Sequence, residues 1–217
     1  MPTILSDIET RVLGSLVEKQ VTTPEYYPLT LNSLTAACNQ KNNRNPVTSY
    51  SEDEVSQGLE SLREKNLAYV FYGSTSRVPK YKHVAPEVLH LNAAELALMC
   101  VLMLRGGQTP GELRGNASRL YEFSGLEEIE QTLNGLMSRD EDPLVAPLPR
   151  QPGQKEVRFV HLLNGEPAEV VVESPAPRRP PPPPSDRVSI LEQEVTSLKS
   201  QVQNLQQQFD SFKKQFE

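Results

Sequence analysis

The chain has no apolar run approaching the ~18 residues that a membrane-spanning helix needs, so no span is expected. It opens Met1-Pro2-Thr3, with neither a basic nor an apolar leader, so no secretory signal is expected. Cysteine is scarce: Cys38 and Cys100 are the two in 217 residues, and both sit inside helical patterns. That excludes a disulfide scaffold and fits a reducing compartment, so a cytoplasmic location is expected. Three scattered histidines and two distant cysteines offer no zinc-ligand spacing. No glycine-rich loop runs into Lys-Ser or Lys-Thr to cradle a phosphate. Neither a metal nor a cofactor is expected. An excess of positive charge is missing too: 22 basic side chains face 28 acidic ones, a net charge of −6, which excludes a uniformly basic nucleic-acid coat. Apolar residues make up 37%, below the ~45–50% of an average domain. The shortfall is local, because residues 175–187 are mostly Pro, Arg and Ser and the last thirty are rich in Gln and Ser. The remaining stretch is long enough for one medium domain or two small ones.

Charge divides what is present. Residues 1–86 are net 0, residues 87–174 net −7 and residues 175–217 net +1. The first segment reads as three helices and a hairpin. Ser6-Asp7-Ile8-Glu9 is a capping box opening a helix with Ile8, Val12, Leu13, Leu16 and Val17 on one apolar face. Thr30 caps a second helix carrying Leu31, Leu34, Ala37 and Cys38, and Ser51-Glu52-Asp53-Glu54 boxes a third with Val55, Leu59 and Leu62 inward. Leu67 to Tyr72 is β-branched and aromatic, hence a strand, and Val78 to Val84 returns it after a Gly-Ser-Thr-Ser turn.

The second segment repeats the order. Asn92 with Glu95 caps a helix, Thr109-Pro110 starts another, and Ser124-Gly125-Leu126-Glu127 reads as a further capping box. Leu144 to Leu148 and Val157 to Leu163 are expected strands. Ser51 and Ser124 lie 73 residues apart and His83 and His161 lie 78 apart, too long a period for a solenoid repeat. Three helices and a two-stranded wing define the winged variety of helix-turn-helix. The expected fold is therefore mainly α with small β-hairpins (α+β): two tandem winged helix-turn-helix domains plus a C-terminal coiled-coil helix. The expected boundaries are 1–86, 87–170, a proline-rich linker over 171–186, and the coiled-coil helix over 187–217.

Longer unbroken runs carry a resemblance. They include Arg11-Val12-Leu13-Gly14, Thr22-Thr23-Pro24, Tyr27-Pro28-Leu29-Thr30-Leu31-Asn32 and Ala37-Cys38-Asn39-Gln40-Lys41 with Asn43-Arg44. The second half adds Gln108-Thr109-Pro110-Gly111-Glu112-Leu113-Arg114, Leu148-Pro149-Arg150-Gln151-Pro152-Gly153 and His161-Leu162-Leu163. With these, roughly residues 4–165 resemble the YceH family of uncharacterised bacterial tandem winged-helix proteins. The resemblance implies a fold and carries no activity with it.

Among residues with chemistry, Cys38 and His83 can be set as nucleophile and base, but a packed small thiol and a strand histidine are the simpler reading. No enzyme is expected. For DNA, the N-terminal part of each recognition helix should read bases. Here it is Glu52-Asp53-Glu54 and Glu127-Glu128 with Glu130, which suits the helix dipole and repels phosphates. Lys41, Asn43 and Arg44 in the loop, with Arg77, Lys80 and Lys82 in the first wing, are the candidate nucleic-acid contacts. They are weighed against a solvated loop and a basic edge strand that guards against pairing. The second wing, Pro149 to Lys155, reads as a rigid turn before it reads as a contact point.

The tail carries a heptad seam. Val188, Leu191, Val195, Leu198, Val202, Leu205, Phe209, Phe212 and Phe216 alternate at spacings of 3 and 4. Val at a with Leu at d favours a parallel two-stranded coil, and the facing pairs Arg187 with Glu192 and Glu194 with Lys199 attract. The five prolines Pro180 to Pro184 read as a stiff spacer. The expected function is a non-enzymatic macromolecule-binding scaffold that homodimerises through this helix and takes a protein partner. The alternative is a DNA-binding transcriptional regulator using the first winged-helix domain. Leu198→Asp buries a charge in the seam and should turn the dimer into a monomer. Sedimentation equilibrium decides it: a wild-type chain already monomeric at high micromolar concentration rejects the seam.

Overall fold

A computed structural model describes residues 4–72, 78–139, 142–150, 154 and 156–165. Arg77, the proline-rich segment and the heptad seam from Val188 to Phe216 lie outside the described residues. The architecture is mixed: helices with two small antiparallel hairpins. The first half runs α1 (Asp7–Thr22), α2 (Leu31–Cys38), α3 (Glu52–Glu64), β1 (Ala68–Phe71) and β2 (Lys80–His83). A four-residue helix, α4 (Ala85–Val88), joins it to the second half. There α5 (Ala93–Arg105), α6 (Pro110–Ala117), α7 (Leu126–Met137), β3 (Val145–Pro147) and β4 (Phe159–His161) repeat the order. The strands are a little shorter than the sequence pattern suggests.

Local chemistry sets the helix starts. Ser6 with Glu9, Ser51 with Glu54, Asn92 with Glu95 and Thr109 with Glu112 each form a reciprocal capping box, satisfying two orphan amides apiece. Thr30 caps α2 through Ser33 N–H. The expected box at Ser124 is displaced by one residue. Gly125 is the N-cap of α7 and no side chain caps it. The third helical position is therefore Glu128 rather than Glu127, and its carboxylate accepts from the Ser124 N–H at 2.7 Å and the Ser124 hydroxyl at 2.8 Å.

The two halves agree in a finer detail. Each has a single β-bridge just before the N-cap of its second helix. Leu29 exchanges both backbone hydrogen bonds with Tyr81 (3.2 and 2.7 Å), and Gln108 does the same with Phe159 (3.0 and 2.8 Å). Each bridge ties the second hairpin strand to the start of the second helix, so hairpin and helices move as one piece.

One hydrophobic core runs through both halves, from Leu5, Leu13 and Leu16 through Leu59, Leu62 and Leu67 to Leu98, Leu102, Leu113, Ile129 and Leu163. The join is the packing of α1 on α5. Gly14 lets the two helices approach closely, since a Cβ there would lie 3.0 Å from Leu104 Cγ and 3.2 Å from Met103 Cβ. On α3, Gly58 lets Ile8 approach similarly, with its Cγ1 3.3 Å from where a Cβ would be. Helix α1 is thus enclosed by both halves. All of Glu9 to Glu18 is buried, so the single apolar face read from sequence is a helix covered all round. The second half also returns to α1: Leu5 N–H donates to Leu163 O at 2.6 Å, and Asn164 accepts from the Thr10 hydroxyl.

Gly14→Val should therefore push α1 off α5 and cost about 1–3 kcal/mol, as overpacking of a dense core does. The expected readout is a lower urea midpoint with an unchanged m-value; an unaltered midpoint contradicts the close approach.

Candidate functional site

The first hairpin builds an outward face from strand alternation. Opposite residues in an antiparallel pair share a face, and the register pairs Tyr69 with Lys82 and Phe71 with Lys80. Ala68, paired with His83, is buried and faces inward with it. Tyr69 and Phe71 stay 40% and 39% exposed, and Tyr72 beyond them is 74% exposed. The Lys82 ammonium sits 5.3 Å from the Phe71 ring centroid, a cation–π contact. Two aromatics and two lysines therefore share one open surface. The sequence reading singled out Lys80 and Lys82 and missed Tyr69 and Phe71. The signal was available in the period-two alternation, once the strand register is fixed.

The loop contacts do not stay with them. Arg44 is turned inward, its side chain fully buried. It grips Glu18 with both nitrogens, Nη1 to Oε1 at 3.1 Å and Nη2 to Oε2 at 2.7 Å. Its Nε and Nη2 also donate to Ala37 O at 3.2 and 2.8 Å. The candidate contact at Arg44 is thus a structural clamp holding the loop after α2 against α1. The physical reason is Glu18: α1 is enclosed, and a buried carboxylate requires a paired, hydrogen-bonded cation. Burial pushes the Glu18 carboxyl up, but the Arg44 hydrogen bonds and charge outweigh it and hold it below its ordinary value. Asn43, at φ +61°, accepts from the Arg105 guanidinium. Lys41 is exposed beside it.

The third helices present acid. On α3 the exposed charges are Glu52, Asp53, Glu54, Glu60 and Glu64 against Arg63, which is tied to Glu60 at 2.6 Å. On α7 they are Glu127 and Glu130, with no basic residue in the helix. These faces repel a phosphate backbone.

Buried polar groups account for the remaining candidates. Cys38 is buried with Sγ 4.0 Å from Arg11 O, and Cys100 Sγ donates to Gly14 O at 3.5 Å. Burial raises both thiols, which disfavours the thiolate a nucleophile needs. His83 Nδ1 accepts from Ala85 N–H at 3.3 Å, its backbone N–H donates to the Tyr27 hydroxyl at 2.9 Å, and its Nε2 has no protein partner. No hydrogen bond joins Cys38 to His83 among the described residues. Burial lowers His83 to about 4, and His161 to about 4 by the same cause. Among the described residues no group of three or more His, Cys, Asp or Glu is placed to hold a metal, and no helix is long and apolar enough to cross a membrane.

The histidines and Glu9 fix an acid-side stability profile. A buried imidazole lowered from 6.5 to about 4 stays neutral while the unfolded one takes a proton. Between these values unfolding therefore binds protons, and stability falls as pH falls. For Glu9, burial acts upward, but hydrogen bonds from Lys65 and Ser6 hold it at about 2 against 4.5, so its contribution is lost lower, as pH drops from 4.5 toward 2. His83→Gln should flatten the decline of the urea midpoint between pH 6.5 and 4 and leave the lower limb unchanged. A decline as steep as wild type in that variant contradicts the assignment.

Comparison with known proteins adds relatives along this same stretch. The family model described as "Protein of unknown function, DUF480" matches residues 5–154. A UPF0502 protein of Opitutus terrae is 54% identical over 196 residues, covering 90% of this chain and 84% of its own. A UPF0502 protein of Geobacter sulfurreducens is 49% identical over 221 residues, end to end on both chains. The UPF0502 protein YceH of Salmonella paratyphi A is 45% identical over 199 residues, covering 90% and 93%.

Proposed function

The chain belongs to the DUF480 family, which includes YceH, and from that membership and the surfaces above we propose a non-enzymatic, macromolecule-binding scaffold. Its body is two winged-helix units in tandem, and it homodimerises through the heptad seam from Val188 to Phe216. The repeated order of three helices and a hairpin, with the matching bridges at Leu29 and Gln108, supports the winged-helix reading. The observation that carries the function is the outward face of the first hairpin. Aromatic side chains left in water beside cations are what a protein interface uses as anchors. The partner is a protein, because the helix that reads DNA in a winged helix is acidic in both halves.

A second reading has one specific observation in its favour. Lys80 and Lys82 flank the aromatics on a wing, where a winged-helix regulator grips the phosphate backbone. In that reading the wing and Lys41 bind DNA and α3 stays out of the groove.

Two double variants separate the readings. With Tyr69→Ser and Phe71→Ser together, a partner retained in stoichiometric amount by the wild-type chain should be lost, and wild type should not shift duplex DNA in gels at two salt concentrations. A DNA shift whose salt slope drops by about 2 when Lys80 and Lys82 become Ala favours the regulator. A partner still retained by the Ser double variant moves the interface off the hairpin.

A further inference from the structure

A cleft of about 390 Å³ opens where the C-terminal ends of α1 and α5 meet the loop after α2 and the end of α6. Both halves of the protein line it. Its charge runs against that of the chain, which is net −6. Lys19, Lys41, Arg105 and Arg119 stand around it, and among the described residues the one carboxylate in its lining is Glu18. That carboxylate is already neutralised by the bidentate Arg44 beneath it. Lys19 reaches Gln40 Oε1 at 3.4 Å and Glu18 at 3.5 Å. Arg105 donates to the neutral Asn43. Among the described residues Lys41, Arg105 and Arg119 pair with no carboxylate, in a protein with more acid than base.

The rest of the lining is of two kinds. Asn42, Asn43 and Asn116 offer amide donors and acceptors, and Leu104 and Leu120 supply an apolar floor. A smaller cleft of about 290 Å³ shares Asn43, Arg105 and Asn116 and continues the polar wall toward Gln108 and Glu112, whose carboxylate is already paired with Arg158 at 2.8 Å. The combined space is in the range that holds a small organic ligand. Three unpaired cations select a multiply charged anion, and guanidinium and ammonium groups together suit a phosphoryl group. The amides and the apolar floor suit a flat heterocycle with hydrogen-bonding edges.

We infer that this cleft is a binding site for a nucleoside phosphate, with Lys41, Arg105 and Arg119 on the phosphoryl oxygens and the asparagine amides on the base or sugar. The walls come from both halves, so an occupant bridges them. Loop residue Asn45 already donates its N–H to Leu104 O at 2.9 Å, which fixes the loop wall against the end of α5 before any ligand arrives. The site is separate from the hairpin face and makes the scaffold responsive to a small molecule.

The test uses the full chain, with calorimetry and thermal unfolding against adenosine monophosphate, guanosine monophosphate, inorganic phosphate and adenosine. At least one monophosphate should bind saturably, raise Tm, and bind more tightly than phosphate or adenosine. Lys41→Gln with Arg119→Gln, both on exposed side chains, should weaken that binding about tenfold or more and leave the unliganded Tm unchanged. Arg105→Gln should weaken it as well. The inference is overturned if neither monophosphate saturates by about 10 mM, or if the double variant binds as wild type does. It is overturned too if phosphate alone binds as tightly as the nucleotides. Duplex DNA binding more tightly than either nucleotide, with the same loss in the double variant, replaces the small ligand by a nucleic acid.

Discussion

The packing of α1 against α5 at Gly14 is the contact on which the rest depends. It places a helix from the first half inside a shell made by both, and this enclosure dictates where the polar residues of α1 must go. Four of its buried polar side chains, Glu9, Thr10, Arg11 and Glu18, find partners on different segments. Glu9 takes Lys65, at the end of α3, at 2.5 Å. Thr10 takes Asn164, beyond β4. Arg11 donates to Pro46 O at 2.7 Å, and Glu18 holds Arg44. A buried polar group without a partner costs more than a made hydrogen bond gains, so these contacts are obligatory once the helix is enclosed. The polar residues of α1 thereby organise the segments around it, while its leucines and valines supply the core.

This division explains which surfaces remain for binding. The loop after α2 is held down by Arg44 and Arg11, so its asparagines and Lys41 stand at the mouth of a cleft rather than reach freely into solvent. The first hairpin is anchored on its inner face by Ala68 and His83 and by the Leu29 bridge, which leaves Tyr69, Phe71, Lys80 and Lys82 outward on a rigid strand pair. A preorganised apolar and cationic face loses little entropy on docking. The acidic first turns of α3 and α7 stabilise their own helix starts through the dipole.

Much of the fold was legible in the sequence because its signals are local. Capping boxes, the helix periodicity and the hairpin turns depend on residues within four positions of one another, and they predicted the elements of both halves in order. The displaced start of α7 shows the limit: Ser124-Gly125-Leu126-Glu127 satisfies the pattern for a box, but the glycine takes the N-cap and Glu128 becomes the partner. Long-range facts were not legible. That α1 is covered on all sides follows from its contact with α5, some ninety residues on, which periodicity within α1 cannot report. For the same reason Arg44 read as a free cation in a basic loop, when its partner lies 26 residues earlier on α1. The open aromatic face needed only the strand register, and its lysines drew notice while Tyr69 and Phe71 read as ordinary strand formers. The heptad seam is the reverse case, plain in the sequence and outside the described residues.

The central claim is that the two halves form one cooperative body joined through α1 and α5, and native-state hydrogen exchange tests it most directly. Backbone amides of Leu13 to Val17 in α1 and of Leu98 to Leu102 in α5 should exchange only through global unfolding, with a common free energy and a common dependence on denaturant. The contradicting result is a second half, α5 to β4, that opens at lower free energy with a shallower denaturant slope while α1 to α3 remain protected.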